Sequence, residues 1–199
     1  TMMRTCLTGL PLLVFLLFLH ETAFAQKAFF APNAASWQAS APPSDDDLYH
    51  SIVLLGDFKN PSKNSHALDL LKSKLSALPE QSSLILLGDL VYPNGLPSID
   101  SDDYSAAKAD LDRVLSHVKD YPGNIIFVPG GHDWDEGGKE GWENVINEQK
   151  YIQSAINRPN VYLPANGCPG PVEAPLADDI VAIIFDSQWW FHNYAKPGT

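Results

Sequence analysis

SLILLGDLVYPNG, residues 83–95, joins a short aliphatic run to a Gly-Asp pair, and then to Tyr92, a proline and a second glycine. An apolar run of this length between turn residues is typical of a strand that is buried on both faces. The glycine lets the backbone turn, and Asp89 then places a carboxylate at the point where the strand ends. This stretch therefore indicates a buried sheet with a polar group at its edge.

Two other stretches have the same form. SIVLLGD (51–57) ends on Asp57, and IIFVPGGHDWD (125–135) ends on a segment that contains His132 and Asp133. Apolar residues at helical spacing lie between and after these runs, and they predict helices over 65–79, from Ser101 as the cap to Val118, and over about 141–157; IVAIIFD (180–186) predicts a fourth strand. Strands that alternate with helices predict an α/β fold with a parallel or mixed sheet.

Strand ends in such a fold meet at one edge of the sheet, so we expect Asp57, Asp89 and His132 to lie close together. A single Gly-Asp after a strand is most often an ordinary turn. Carboxylates gathered at one edge, however, raise one another's pKa unless a cation lies between them. Because Asp oxygens, a phenolate and imidazoles suit a divalent or trivalent metal, the recurrence at three strand ends favours a metal site.

The order of these motifs resembles that of the calcineurin-like metallophosphoesterases. The stretches that carry the resemblance are GDFKN (56–60), GDLVYPNG (88–95) and GGHDW (130–134), and the resemblance covers about residues 50–195. Tyr92, three residues after Asp89, and DSQWWFH (186–192) are most similar to the purple acid phosphatase branch. The resemblance implies a layered mixed β-sheet with flanking helices, and we expect its C-terminal part to follow residue 199.

The resemblance also implies an activity. Enzymes of this type hydrolyse phosphate esters with a hydroxide that two metal ions activate. On this pattern Asp89 would bridge the two ions, Asp57 would bind the first and Tyr92 would add a phenolate to it. The ions would be divalent or mixed-valence Fe, Mn or Zn, and the substrate a small phosphorylated molecule. His132 would be a transition-state contact or general acid, and Asp133 would orient its imidazole.

Three features depart from the family pattern. Gly131 stands where the family has an Asn that binds the second metal, and Lys59 stands where it has His or Gly. His192 is the only histidine after His132, and we expect it to pack or cap rather than to bind metal. These departures keep a second hypothesis open, namely a catalytically degenerate member that acts as a binding or assembly module of the cell envelope. An unrelated α/β binding domain is a third, although neither usual nucleotide-binding fingerprint is present.

The N-terminal region predicts export. Residues 1–25 have the three parts of a signal peptide, with an apolar run of about ten residues where a membrane span needs about twenty. An Ala-, Ser- and Pro-rich linker follows over 26–47, and the folded domain is predicted over 48–199. We therefore expect a secreted or periplasmic protein with no stable membrane span after cleavage. The net charge of −11 argues against nucleic acid as a partner.

Overall fold

The computed structural model describes residues 48–58 and 65–198, so the predicted signal peptide, the linker and Lys59 lie outside the described residues. The helices and strands, in chain order, are β1 (Ser51–Leu55), α1 (Ser65–Ala77), β2 (Ser82–Leu86), α2 (Tyr104–Val118), β3 (Asn124–Phe127), α3 (Gly141–Ile156), β4 (Val172–Ala177), β5 (Ile180–Ile184) and α4 (Gln188–Phe191). Short 3₁₀ turns also occur at Asp135–Gly137 and Ala165–Gly167.

The first three strands form a parallel sheet in the order β1-β2-β3. Leu54 of β1 is opposite Ile85 of β2, which is opposite Ile126 of β3. Every residue of the central strand β2 is buried, as its continuous aliphatic run predicts. The predicted α/β fold with a parallel sheet and flanking helices is thus confirmed at this level.

The helices α1, α2 and α3 pack on one face of this sheet. Each presents apolar residues at helical spacing, and they join the sheet residues Leu84, Leu86, Ile125 and Phe127 in one core; the buried helix residues include Leu68, Leu71, Leu75, Ala107, Leu111, Val114, Val145 and Ile152. The other face carries a smaller core in which Ile85 and Ile126 contact Ala174 and Ile184. The sheet therefore lies between a helical layer and the strands β4 and β5.

The position of the fourth predicted strand differs from the expectation of one mixed sheet. Within the described residues β5 pairs antiparallel with β4, and the two form a separate two-stranded sheet. The sequence did not predict β4, because Glu173 and Pro175 interrupt its apolar residues and proline is disfavoured in strands. The pairing is irregular between Pro175 and Ala177.

The start of α2 also differs from the prediction. The helix begins at Tyr104 with Asp103 as its N-cap, and Ser101 Oγ accepts a hydrogen bond of 3.3 Å from the Asp103 N–H. Ser101 therefore supports the turn before the helix instead of capping the helix itself. Among the residues that the structure describes, no helix has the length and apolar character that a membrane crossing requires.

Candidate metal centre at the strand ends

The loops after β1 and β2 are joined by backbone hydrogen bonds. The N–H groups of Asp57 and Phe58 donate to the carbonyls of Gly88 and Asp89 over 3.3 and 3.1 Å. Asp57 and Asp89 both have left-handed backbone, with φ of 57° and 54°. This conformation costs a non-glycine residue about 1 kcal/mol or more, and such strain is concentrated at functional sites.

Two glycines allow the loops after β2 and β3 to touch. A Cβ on Gly88, whose φ is +84°, would lie 2.3 Å from the backbone nitrogen of Gly130. A Cβ on Gly130 would lie 2.5 Å from Oδ1 of Asp89. Since no side chain fits at either position, the close approach of the two loops depends on these glycines.

Tyr92 lies between the first and third strand ends. Its hydroxyl donates a 2.6 Å hydrogen bond to Oδ1 of Asp57, and its ring centroid is 3.9 Å from that of His132. Burial raises the pKa of the Tyr92 phenol, and the hydrogen bond to Asp57 and the charge of Asp89 raise it further. Without a cation beside it, the phenol is therefore neutral at neutral pH.

His132 has a fixed ring orientation. Its Nδ1 lies 2.7 Å from the carbonyl oxygen of Pro93 and 3.4 Å from Oε1 of Glu136. Because a carbonyl oxygen only accepts, Nδ1 carries the hydrogen, and Nε2 is the atom that can exchange a proton with a ligand. The backbone N–H of His132 donates to Oδ1 of Asp89 over 2.9 Å, which ties the histidine to the predicted bridging carboxylate.

The contacts of Asp133, which was predicted to orient this imidazole, are with backbone amides, while Nδ1 of His132 faces the carbonyl of Pro93. Asp133 is fully buried. Its Oδ2 accepts from the backbone N–H groups of Asp89 and Gly130 over 2.9 and 2.7 Å, and its Oδ1 accepts from that of Leu90 over 3.1 Å. Burial raises the pKa of the Asp133 carboxyl, whereas these amides lower it. Asp133 thus fastens the loop after β2 to the loop after β3.

Two further buried acids, Glu148 and Asp186, lie behind Asp133, and neither was predicted to be a site residue. Glu148 and Asp186 have no exposed surface. Glu148 was recognisable as an acid on the apolar face of α3, between Val145 and Ile152. Asp186 follows β5 directly and accepts a 2.7 Å hydrogen bond from Nε1 of Trp134.

Asp57, Asp89 and Tyr92 offer carboxylate and phenol oxygens, which are ligands that hard cations prefer. The chemistry of these donors fits a metal ion. Their number is smaller than a complete site needs, and within 48–58 and 65–198 no three His, Cys, Asp or Glu side chains are grouped so as to hold one. These donors could therefore fill only part of a coordination sphere.

The departures from the family pattern have different surroundings. A Cβ on Gly131 would lie 3.6 Å or more from the carboxamide of Gln188, which is an ordinary contact, so the first carbon of a side chain fits there. His192 is fully buried and its ring centroid lies 4.9 Å from that of Trp134. His192 therefore packs in the interior, as expected.

A cavity of about 320 Å³ adjoins the site. Tyr92 and Pro93 form part of its wall, together with Asn94, Asp103, Ala106, Asp135 and Glu140. Its walls combine apolar surface with three carboxylates, so it suits a small molecule better than a polyanion.

Comparisons of the chain with protein-family models, with curated proteins and with solved structures found no match. Function must therefore be inferred from the geometry of the strand-end residues.

Proposed function

We propose that this chain is an exported metal-dependent phosphoesterase that hydrolyses small phosphate esters. One observation carries the proposal: Asp57, Asp89, Tyr92 and His132 converge at the carboxyl-terminal edge of a parallel sheet. This edge is where α/β sheets bind their ligands. Oxygen donors beside an imidazole are the groups that phosphoryl transfer requires.

Asp57 and Tyr92 would hold one metal ion, and Asp89 would bridge it to a second. Bound Fe, Mn or Zn ions would supply Lewis acidity toward the phosphoryl oxygens and toward an attacking water. The left-handed backbone of Asp57 and Asp89 and the contact between Gly88 and Gly130 hold the two carboxylates at this edge before the metal binds.

Tyr92 and His132 would each take part in proton transfer. The phenol of Tyr92, which now donates to Asp57, must release its proton in order to bind a cation. Pro93 holds Nδ1 of His132, so the opposite nitrogen, when protonated, can donate to the oxygen of the leaving alcohol. This donation matters most for alcohols that leave poorly.

The cavity beside Tyr92 would hold the organic part of the ester. Its volume, about 320 Å³, suits a small substrate. The carboxylates of Asp103, Asp135 and Glu140 disfavour a leaving group that carries further phosphates. This acidity, and the net charge of −11, give no support to nucleic acid as the substrate.

The test is hydrolysis of an aryl phosphate by the full chain in the presence of Mn, Fe or Zn. We expect Asp89→Ala to lower kcat/KM by about 100-fold or more, because it removes the shared ligand. Asp120→Ala is the matched control, since Asp120 is exposed and precedes β3 at the opposite edge of the sheet. Equal activity of Asp89→Ala and the wild type would refute the proposal.

Gly131 favours a second candidate, a metallophosphoesterase-fold module that binds or assembles in the cell envelope without catalysis. A glycine offers no side-chain ligand to a second metal, and the nearest described atoms to a Cβ built at this position belong to Gln188, at 3.6 Å or more. The metal content of the purified full chain separates the candidates. Two ions per chain would exclude the binding module, and no metal at saturating concentration would exclude the enzyme.

A further inference from the structure

The cavity beside Tyr92 shares its wall with the strand-end residues. Tyr92 and Pro93 both line this cavity. The hydroxyl of Tyr92 donates to Oδ1 of Asp57 over 2.6 Å, and the carbonyl oxygen of Pro93 lies 2.7 Å from Nδ1 of His132. A group that binds in the cavity is therefore next to the residues that would act on a phosphate ester.

Asn144 adds a buried polar group to the same wall. It lines the cavity and is only 3 % exposed. Its Nδ2 donates to the carbonyl of Asn94 over 2.5 Å, whereas in the described part of the chain no donor is found for its Oδ1. Oδ1 is not fully enclosed, because the enclosed side-chain atoms without a partner among the described residues are Glu148 Oε1 and His192 Nδ1. The cavity therefore contains an acceptor that a ligand can use.

The titratable side chains in the wall are acids. Asp103 and Glu140 are exposed and Asp135 is half-buried, and the described residues that line the cavity include no Lys, Arg or His. Lys139 lies outside the wall, with its Nζ 3.6 Å from Oε1 of Glu140, and its side chain is 78 % exposed, so solvent screens most of its charge. The wall therefore attracts a cation.

The N-termini of two helices reduce this negative charge without reversing it. α2 begins at Tyr104, directly after Asp103, and α3 begins at Gly141, directly after Glu140. A helix N-terminus carries about half a positive charge, so the two together offset about one of the three carboxylates. Neither Asp103 nor Glu140 caps its helix through the side chain. Both carboxylates can therefore bind a ligand in the cavity.

We propose that this cavity binds a primary ammonium group, and that the substrate is the monophosphate ester of a short amino alcohol. An ammonium group has three N–H donors, which match Oδ1 of Asn144 and the carboxylates of the wall. Tyr92 adds an aromatic ring, whose face also attracts a cation. The volume of about 320 Å³ accommodates a chain of a few carbons. The identity of the ester rests on the proposed phosphoesterase function, whereas the binding of an ammonium group does not.

The first test measures binding alone, with propylammonium as the probe and 1-propanol as a neutral probe of nearly the same shape. In nitrogen–proton NMR spectra of the full chain at neutral pH, without added metal, we expect propylammonium to shift the amides of Gly95, Ala106 and Asn144 until they saturate. 1-Propanol should leave these amides in place. No shift with propylammonium, or equal shifts with the two probes, would overturn the proposal.

Charge-removing variants locate the bound ammonium group. Asp103→Asn and Glu140→Gln each remove one negative charge from the wall with little change of shape. Asp102→Asn and Glu143→Gln are the matched controls, because Asp102 and Glu143 are exposed acids near the same helix starts but do not line the cavity.

An ion pair with an exposed carboxylate contributes modestly to affinity. We therefore expect each wall variant to raise the Kd of propylammonium about 2- to 5-fold, and the double variant to raise it about 10-fold. The control variants should leave the Kd unchanged. Equal effects of the wall variants and the controls would mean that the probe responds only to the overall charge, and would overturn the proposal.

The second test measures the selectivity of the metal-loaded enzyme. 2-Aminoethyl phosphate and propyl phosphate have chains of the same length, and only the first ends in an ammonium group. We expect the wild type to prefer 2-aminoethyl phosphate by about 10-fold in kcat/KM, and the double variant to lose most of this preference. Equal kcat/KM for the two esters in the wild type would overturn the proposal and leave the phosphoesterase function standing. If no phosphate ester is hydrolysed, the phosphoesterase function fails, while the NMR titration still tests the cavity.

Discussion

The hydroxyl of Tyr92 donates a 2.6 Å hydrogen bond to Oδ1 of Asp57, and so connects the loop after β2 with the end of β1. The other side of the same ring packs toward His132, with 3.9 Å between the ring centroids. Tyr92 thus touches side chains from both neighbouring strand ends. A cation that binds both Asp57 and Tyr92 would have to replace the phenolic proton, so in the proposed site metal binding and ionisation of Tyr92 would be coupled.

Tyr92→Phe tests this coupling. In the wild type loaded with ferric iron we expect a visible tyrosinate-to-iron absorption band, and in Tyr92→Phe we expect no band and weaker iron binding. Tyr151→Phe is a matched control, because Tyr151 also donates to an aspartate, Asp112, but between two helices. A colourless wild type that contains iron would contradict ligation by Tyr92.

His132→Ala tests the general acid. Loss of a positioned proton donor costs about 10²- to 10⁴-fold in rate, and it costs most when the leaving alcohol is a poor one. We therefore expect His132→Ala to reduce kcat far more on an alkyl phosphate than on a nitrophenyl phosphate, whose phenol leaves without protonation. The measurement is the ratio of kcat for the two esters in each enzyme. An equal loss on both esters would mean that His132 contacts the phosphoryl group without protonating the leaving oxygen.

Gly131→Asn tests whether one missing ligand limits the second metal. Among the described residues, the atom nearest to a Cβ at Gly131 lies 3.6 Å away, so the first carbon of the new side chain clashes with none of them and we expect little loss of stability. We expect the metal content at limiting concentration to rise toward two ions per chain, as measured by elemental analysis after dialysis.

The same substitution one residue earlier is the control. A Cβ at Gly130 would lie 2.5 Å from Oδ1 of Asp89, so Gly130→Asn should destabilise the protein and reduce metal binding. If Gly131→Asn binds no more metal than the wild type, the vacancy at this position is not what limits the second ion.

The three parallel strands were predictable because each is a short aliphatic run between turn residues, and a central strand such as β2 must be apolar on both faces. The strand β4 was not, because Glu173 and Pro175 interrupt its apolar residues, so it lacks the continuous aliphatic run that marks the other strands. The separation into two sheets was not predictable either, because it depends on which residues pack against Ile85 and Ile126 in the folded protein.

Within the site, the convergence of Asp57, Asp89 and His132 was predictable from topology, since parallel strands end at one edge. The partners of Asp133 were not. Its hydrogen bonds go to backbone amides up to 44 positions away, and every residue carries such an amide except proline, so side-chain identity gives no indication of them.

Asp186 gives the protein a pH dependence that can be measured without any ligand. The side chain has no exposed surface and accepts from Trp134 Nε1 and from the backbone N–H of Gln188, over 2.7 and 3.0 Å. Burial, the largest influence, raises its pKa from 3.8 to about 6, although these hydrogen bonds oppose the rise.

The sign of the effect follows from proton binding. Between about pH 4 and pH 6 the folded protein binds a proton at Asp186 that the unfolded chain has released, so the contribution of Asp186 to the free energy of unfolding falls as the pH rises. We expect Asp186→Asn, which keeps an acceptor for Trp134, to gain stability relative to the wild type over this range, by on the order of 2 kcal/mol. Urea unfolding at several pH values measures the difference, with the exposed Asp120→Asn as control. A difference that stays constant with pH would show that Asp186 titrates alike in the folded and unfolded protein.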